Sequence, residues 1–103
     1  MNSIIPKGSI IASFVYEKSS NLDGYEDMDK KTLEEVKKID GYLGHEVFGD
    51  GHRNIFLSYW RDEDSINVWK NNALHKVAKS EGKNWYKMYK MLFSILQNDY
   101  KLN

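Results

Sequence analysis

The order in which the spacing of apolar residues changes along the chain constrains its fold more than any other feature. A spacing of two residues predicts a half-buried strand, and spacings of three and four residues predict an amphipathic helix. The pattern predicts strand, helix, strand, strand, helix and strand over residues 9–16, 24–39, 43–48, 54–61, 62–82 and 85–96. This order indicates an α+β protein of ferredoxin-like βαββαβ topology, with a four-stranded antiparallel sheet and two helices on one face.

Turn and cap residues support these boundaries. Gly41 is typical of the left-handed residue that ends a helix, and Gly82 predicts the end of the second helix. The Gly-Asp-Gly sequence at residues 49–51 predicts a hairpin turn between the second and third strands. Asp62 predicts the N-cap of the second helix. The two asparagines at residues 71–72 leave open whether that helix is continuous or divided into two pieces.

Apolar side chains on both faces of the predicted sheet favour a second copy of the chain. In the first strand, Phe14 and Tyr16 lie on one face, and Ile11 and Val15 lie on the other. The last strand is predicted to carry Tyr86, Met88, Leu92 and Leu96 on one face and Tyr89, Met91, Phe93 and Ile95 on the other. Two helices cover only one face, and an extended apolar face is rare on a soluble monomer. We therefore expect a homodimer in which two sheets close into a dimeric α/β barrel.

Composition narrows the class of protein further. The 103 residues are expected to form one domain, residues 1–103. Fifteen basic and fifteen acidic side chains leave no net charge, which disfavours nucleic acid and anionic membrane surfaces as partners. Cysteine is absent, so disulfides, thiolate nucleophiles and cysteine-ligated metals are excluded. Because no signal peptide or bilayer-length apolar run is found, the expected location is the cytoplasm.

Residues 59–89 combine all three tryptophans with a histidine at position 75. Aromatic side chains dominate the energetics of the cavities and interfaces they line, and histidine changes its charge near neutral pH. The segment therefore predicts an aromatic pocket with one titratable group. No phosphate loop or dinucleotide fingerprint is found, so a tightly held nucleotide cofactor is not expected.

The same segment resembles the antibiotic biosynthesis monooxygenase family. The resemblance covers roughly residues 10–96 and is carried by Gly41-Tyr42-Leu43-Gly44, Tyr59-Trp60-Arg61-Asp62-Glu63, Ile66, Trp69, His75, Gly82, Trp85-Tyr86 and Tyr89. It implies a dimeric α+β barrel and oxygenation by molecular oxygen, in some members without a metal or organic cofactor. A fold hosts many chemistries, so the residues of the site decide the activity.

The resemblance implies a role for each of five residues. His75 is the candidate catalytic base, or the hydrogen-bond partner of a substrate oxygen. The candidate substrate-binding residues, which would stack on a flat phenol-like or quinol-like ligand, are Trp60, Trp69, Tyr86 and Tyr89. No metal and no cofactor are expected.

Each of these residues also has a purely structural interpretation. His75 is compatible with a packed or interfacial residue, and Trp69 with core packing in helical register with Ile66. Trp60 and Tyr86 could equally anchor a dimer interface. The other two histidines, at positions 45 and 52, lack metal-ligand spacing and are interpreted as surface residues.

Two alternatives stay open, of which one is enzymatic and the other belongs to a different functional class. Some relatives of this fold degrade haem with an asparagine, a tryptophan and a histidine, and Trp69 stands at the matching position. The first strand, however, has Ala12 and Ser13 where the asparagine is expected, and Lys79 stands near the place of the histidine. The other alternative is a non-catalytic dimer that binds a small aromatic ligand as a carrier or sensor.

Overall fold

The computed structural model describes residues 5–102, without the side chains of residues 73 and 74, so residues 1–4 and 103 of the predicted domain lie outside the described part. Its elements are β1 (Ile10–Lys18), α1 (Tyr25–Val36), β2 (Tyr42–Gly49), β3 (Asn54–Trp60), α2 (Glu63–Lys70), α3 (Ala73–Trp85) and β4 (Tyr86–Ile95). The predicted ferredoxin-like order of strands and helices is confirmed. Within the described residues, no helix is both long and apolar enough to span a bilayer.

The four strands form one antiparallel sheet in the order β2-β3-β1-β4. Residues paired across neighbouring strands point to the same face, so Ala12 of β1 shares a face with Ser58 of β3 and Phe93 of β4. The helices cover this face, which we call the helix face. Its core contains Ala12, Val36, Trp60 and Ile66, with Leu33 and Trp69 packed against them.

The second predicted helix is divided into two pieces at the asparagine pair, so the structure has three helices among its described residues. Asp62 caps α2 as predicted, because its side chain accepts a hydrogen bond from the backbone N–H of Ser65 at 2.9 Å. The side chain of Asn72 accepts from the backbone N–H of His75 at 3.1 Å at the start of α3. Each piece therefore has its own polar cap.

The predicted end of the second helix at Gly82 is wrong. Gly82 is buried within α3, which continues to Trp85, so the last strand begins at Tyr86 rather than at Trp85. Gly82 does not have the positive φ of a glycine that ends a helix, so the helix continues through it. A Cβ atom there would make only an ordinary contact with the ring of Tyr86, at 3.6 Å.

The predicted face of Tyr86 is also wrong. Met88 lies opposite Glu17 and Tyr86 opposite Lys18, so Lys87 is an extra residue in β4. Such a bulge reverses the alternation of faces. Tyr86 consequently lies on the helix face with Tyr89, at a ring-centroid distance of 5.9 Å.

The opposite face of the sheet, which we call the open face, carries no helix formed by residues 5–102. Ile11, Val15, Ile55 and Leu57 are only partly buried there. Phe48 and Leu92 on the outer strands are 52% and 53% exposed. The prediction of apolar side chains on both faces is therefore confirmed for the single chain.

Candidate active site

His75 lies in the first turn of α3, where the break between α2 and α3 brings it against Trp69. The two ring centroids are 4.6 Å apart and the rings are inclined by 45°. Trp69 packs in turn against the core. The break between the two helices thus holds the imidazole of His75 beside the ring of Trp69. The structure therefore brings together two of the predicted site residues.

Burial lowers the pKa of His75 below its usual value of 6.5, and the nearby ammonium group of Lys79 lowers it further. Both influences disfavour the imidazolium form. His75 is therefore neutral at neutral pH. A neutral imidazole has one nitrogen free to accept a proton or a hydrogen bond.

An apolar strip lies on the helix face of β4. Tyr89, Met91 and Phe93 share this face through their pairing with β1, and they are 49%, 42% and 50% exposed. The Nζ atom of Lys70 lies 4.2 Å from the ring centroid of Phe93, just before α3 begins, and Tyr86 follows the end of α3. The two ends of the strip therefore lie near the two ends of α3. We call the surface between these two ends the trough.

An aromatic cluster closes the end of the trough remote from His75. The ring of Tyr86 lies 5.3 Å from Phe14, 5.4 Å from Tyr16 and 6.0 Å from Tyr25. Tyr89 joins the cluster through Phe14, at 5.6 Å. The predicted residues Tyr86 and Tyr89 are thus neighbours at one end of the trough, and Trp69 and His75 are neighbours at the other.

Trp60 belongs to the core cluster against which Trp69 packs. It is only 1% exposed, its Nε1 donates to Ser58 Oγ at 3.0 Å, and its ring packs edge-on against Tyr42 at 5.2 Å. This is a core environment beneath the helices.

Sequence reasoning missed Tyr16 and Tyr25, which contact the site although they lie far outside the segment 59–89. The available signal was their pattern, since Tyr16 falls on the apolar face of the first strand and Tyr25 begins the apolar stripe of the first helix.

The interpretation of His45 as a surface residue is wrong. Its ring stacks on Phe56 at 4.9 Å and is hydrogen-bonded through Nδ1 to the hydroxyl of Tyr42. Burial lowers the pKa of His45 and raises the pKa of Tyr42 to about 12. His52, in contrast, is exposed at the hairpin, near Glu17.

Two surface grooves of about 490 and 410 Å³ lie elsewhere on the molecule. The larger is lined by charged residues, including Arg61, which pairs with Asp40 at 3.2 Å. The smaller lies at the start of α1 and includes Lys18 and Tyr25. Neither groove contains His75 or the four predicted aromatic residues. The trough is an open surface in the single chain, because Tyr89, Met91 and Phe93 are each exposed by two fifths or more.

Comparisons with known proteins bear on this site. A model of the antibiotic biosynthesis monooxygenase family matches residues 16–81. The chain is 36% identical over 87 residues to the "Uncharacterized protein YqjZ" of Bacillus subtilis (strain 168). This match covers 82% of this chain and 74% of that protein. It is 31% identical over 67 residues to the "Jasmonate monooxygenase ABM" of Pyricularia oryzae, covering 62% of this chain and 31% of that protein. The match therefore spans about a third of the latter protein's length.

Among solved structures, the fold is similar to that of SnoaB, described as a cofactor-independent oxygenase from Streptomyces nogalater. The TM-score is 0.75, and the match covers 89% of this chain and 96% of that chain at 7% sequence identity. At this identity the similarity establishes a shared fold, and the chemistry has to be argued from the residues of the trough.

Proposed function

Because the chain belongs to the antibiotic biosynthesis monooxygenase family, we propose that it is a small monooxygenase that oxidises a flat, phenol-like or quinol-like aromatic substrate with O2 and without a bound cofactor. The observation that carries the proposal is the position of a neutral imidazole, His75, against Trp69 at one end of an apolar trough. In this proposal, Trp69, Tyr86 and Tyr89 contact the substrate. Trp60 lies in the core and supports Trp69.

The proposed chemistry requires the protein to bind the substrate, exclude water and accept one proton. Where the phenol-like substrate also carries an activated CH2 group, removal of a proton from that group leaves an electron-rich carbanion that can react with O2 directly. One oxygen atom remains on the carbon as a carbonyl, and the other leaves as water with the two hydrogens from the carbon. The carbon loses four electrons and O2 gains four, so the sum of CH2 and O2 to C=O and H2O needs no other reductant.

His75 suits the role of base because its lowered pKa keeps it unprotonated at neutral pH. Trp69 and the tyrosine rings supply flat, electron-rich surfaces on which an aromatic ligand can stack. Two of the similar proteins are named as a jasmonate monooxygenase and a cofactor-independent oxygenase, and both names describe oxygenation.

We further propose that the working form is a homodimer with the open faces packed together. The open face presents Leu57, Leu92 and Phe48, and no helix of the described part of the chain covers them. Such a face on a soluble protein usually marks an interaction surface, and a two-fold axis lets one patch cover its own copy. At the end of β1, Glu17 pairs with Arg53 at 2.8 Å, which places a charged pair at the margin of this face.

The decisive experiment measures oxygen uptake with quinols and with 1,8-dihydroxyanthrone, whose CH2 group is acidic. In a His75→Ala variant, the rate should fall by roughly 100-fold or more, as expected for loss of a general base. His52→Ala is the matched control, because His52 is exposed and lies on the hairpin. Uptake that survives in His75→Ala would refute the role of His75. Binding of these compounds without any uptake would instead indicate a non-catalytic ligand-binding protein.

A further inference from the structure

Four of the seven tyrosines of the chain lie side by side, although they come from three different elements. Tyr16 lies in β1, Tyr25 is the first residue of α1, and Tyr86 and Tyr89 lie in β4. The ring centroid of Tyr86 lies 5.4 Å from that of Tyr16, 5.9 Å from that of Tyr89 and 6.0 Å from that of Tyr25. Tyr86 is therefore the common neighbour of the other three. We call these four residues the tyrosine cluster.

The surrounding backbone fixes the separations within the tyrosine cluster. The backbone N–H of Ser19 donates to the carbonyl of Trp85 at 2.7 Å, and the indole Nε1 of Trp85 donates to the carbonyl of Asp23 at 2.9 Å. These bonds tie the loop before α1 to the junction between α3 and β4. Tyr25 and Tyr86 are therefore held together by the fold, which favours a reaction between two side chains over a reaction between two molecules.

Exposure determines where an oxidant from the solvent reaches the tyrosine cluster. Tyr89 is 49% exposed, whereas Tyr16 is only 7% exposed and Tyr25 and Tyr86 are half-buried. A radical in solution therefore meets Tyr89 first. The more buried rings can be oxidised through it, because an electron passes readily between aromatic rings that are in contact.

The oxidation of these tyrosines has to release a proton as well as an electron. Burial raises the pKa of Tyr16, Tyr25 and Tyr86, to about 12 for Tyr86, so all three are protonated at neutral pH. Their hydroxyl groups interact with one another and lie within electrostatic range of the Asp29 carboxylate. Burial raises the pKa of Asp29, which makes it a stronger base than an exposed aspartate. A proton acceptor is thus available beside the buried hydroxyls.

From this arrangement we infer that the tyrosine cluster is a site of oxidative modification, where peroxyl radicals convert Tyr86 and one of its neighbours into a covalent dityrosine. Each of the two tyrosines gives up one electron and its hydroxyl proton, and two peroxyl radicals become two hydroperoxides. The two tyrosyl radicals then form one C–C bond between the ring carbons next to their oxygens. The hydrogens on these two carbons move to the oxygens and restore both hydroxyls. The product joins β4 covalently to β1, to α1 or to a second position in β4.

The other three tyrosines have no tyrosine ring as a neighbour among residues 5–102. Tyr42 packs against Trp60, and the hydroxyl of Tyr59 donates to Glu46 at 2.6 Å. Tyr100 is 91% exposed. Peroxyl radicals can oxidise these three side chains, but a dityrosine formed from them has to join two different chains. The position of the cross-link therefore distinguishes a built site from random oxidation.

The experiment exposes the dilute wild-type protein to peroxyl radicals from azobis(amidinopropane) in air, with no aromatic substrate present. Trypsin cleaves after lysine and arginine, and the sequence places each of the seven tyrosines in a separate tryptic peptide. Mass spectrometry should find the peptide of residues 84–87 linked to residues 8–18, 19–30 or 88–90. On a denaturing gel the modified protein should keep the mass of one chain, 12.1 kDa. In urea this selectivity should disappear, because the separations depend on the fold.

Tyr86→Phe keeps the aromatic ring but has no phenol to couple, so it should lose most of the dityrosine fluorescence of the single-chain product. Tyr100→Phe is the matched control, because it also removes one tyrosine and should retain the wild-type yield. Cross-links mainly between chains, cross-links mainly through residues 39–53, 54–61 or 91–101, or tyrosine loss without dityrosine would overturn the inference. The wild-type peptide map is decisive even if Tyr86→Phe is unstable.

The same experiment separates this modification from the proposed monooxygenase activity. No substrate takes part in the cross-linking, and His75→Ala should leave the cross-linked peptides unchanged while it loses oxygen uptake. Oxygen uptake by a wild type that forms no dityrosine within the chain would contradict the modification site alone. Selective cross-linking in a protein without oxygen uptake would contradict the monooxygenase proposal alone.

Discussion

At the scale of single residues, the protonation state of His75 connects the structure to the proposed reaction. Burial is the larger cause of its lowered pKa, and the charge of Lys79 is the smaller. A base works in its unprotonated form, so activity should be constant above the lowered pKa and fall as the pH drops through it. The acid limb of the rate profile should therefore have its midpoint below 6.5, the ordinary value for histidine.

Lys79→Met should move that acid limb to higher pH. Removing the ammonium group makes the imidazolium form less unfavourable, so the pKa of His75 rises, but burial remains and keeps it below 6.5. The measurement is kcat/KM for oxygen uptake between pH 4.5 and 8, a range chosen to bracket about two units around the ordinary histidine pKa. Lys76→Met is the matched control. Superimposable acid limbs for the two variants would show that His75 does not set the profile.

The grouping of site residues that lie close together in the sequence could be predicted. The grouping of residues that only tertiary structure brings together could not. Trp69 and His75 lie six positions apart in one aromatic segment, and the structure brings them into contact. Tyr86 was placed on the wrong face because the bulge beside Lys87 depends on how β4 pairs with β1. His45 was missed because its partner Phe56 is supplied by the register of the hairpin.

At the scale of elements, caps and turns were easier to predict than packing glycines. Asp62 caps α2 as expected because the N-cap bond is local in sequence. Gly41 has the predicted positive φ, +94°, but α1 ends earlier, at Val36. The carbonyl of Gly41 accepts a hydrogen bond from the backbone N–H of Arg61 at 2.7 Å, and Gly41 brings the chain close to the start of α2. That close approach depends on the fold, so composition alone does not reveal it.

Gly41→Ala should destabilise the protein more than Gly51→Ala does. Both glycines have positive φ, +94° and +91°, which costs an alanine about 1 kcal/mol. A Cβ atom at Gly41 would lie 1.9 Å from Ser65 Oγ, whereas nothing lies within 4 Å of one at Gly51. Relief of that clash should bring the total loss for Gly41→Ala to about 3 kcal/mol. Urea denaturation checks both values, and equal losses would mean that α2 moves away freely.

At the scale of the whole molecule, the two faces of the sheet carry different features. The helix face carries the core and the trough, while the open face carries apolar side chains that no helix among the described residues covers. Strand order and alternation were predictable because they follow from local periodicity. What covers the open face has to be argued from the free energy of exposing it to water, which favours a partner with the same apolar surface.

Leu92→Lys should separate the proposed dimer without unfolding the chain. Leu92 is 53% exposed in the single chain, so a lysine there can reach water, but two copies would bring unpaired charges into the packed open faces. Val68→Lys is the matched control, because Val68 is 56% exposed and lies on α2, away from that face. Sedimentation velocity should find the wild type and Val68→Lys at twice the chain mass of 12.1 kDa, and Leu92→Lys at the mass of one chain. A folded wild type that sediments as a single chain at micromolar concentration would contradict the dimer, and the trough would then have to function as the open surface described above.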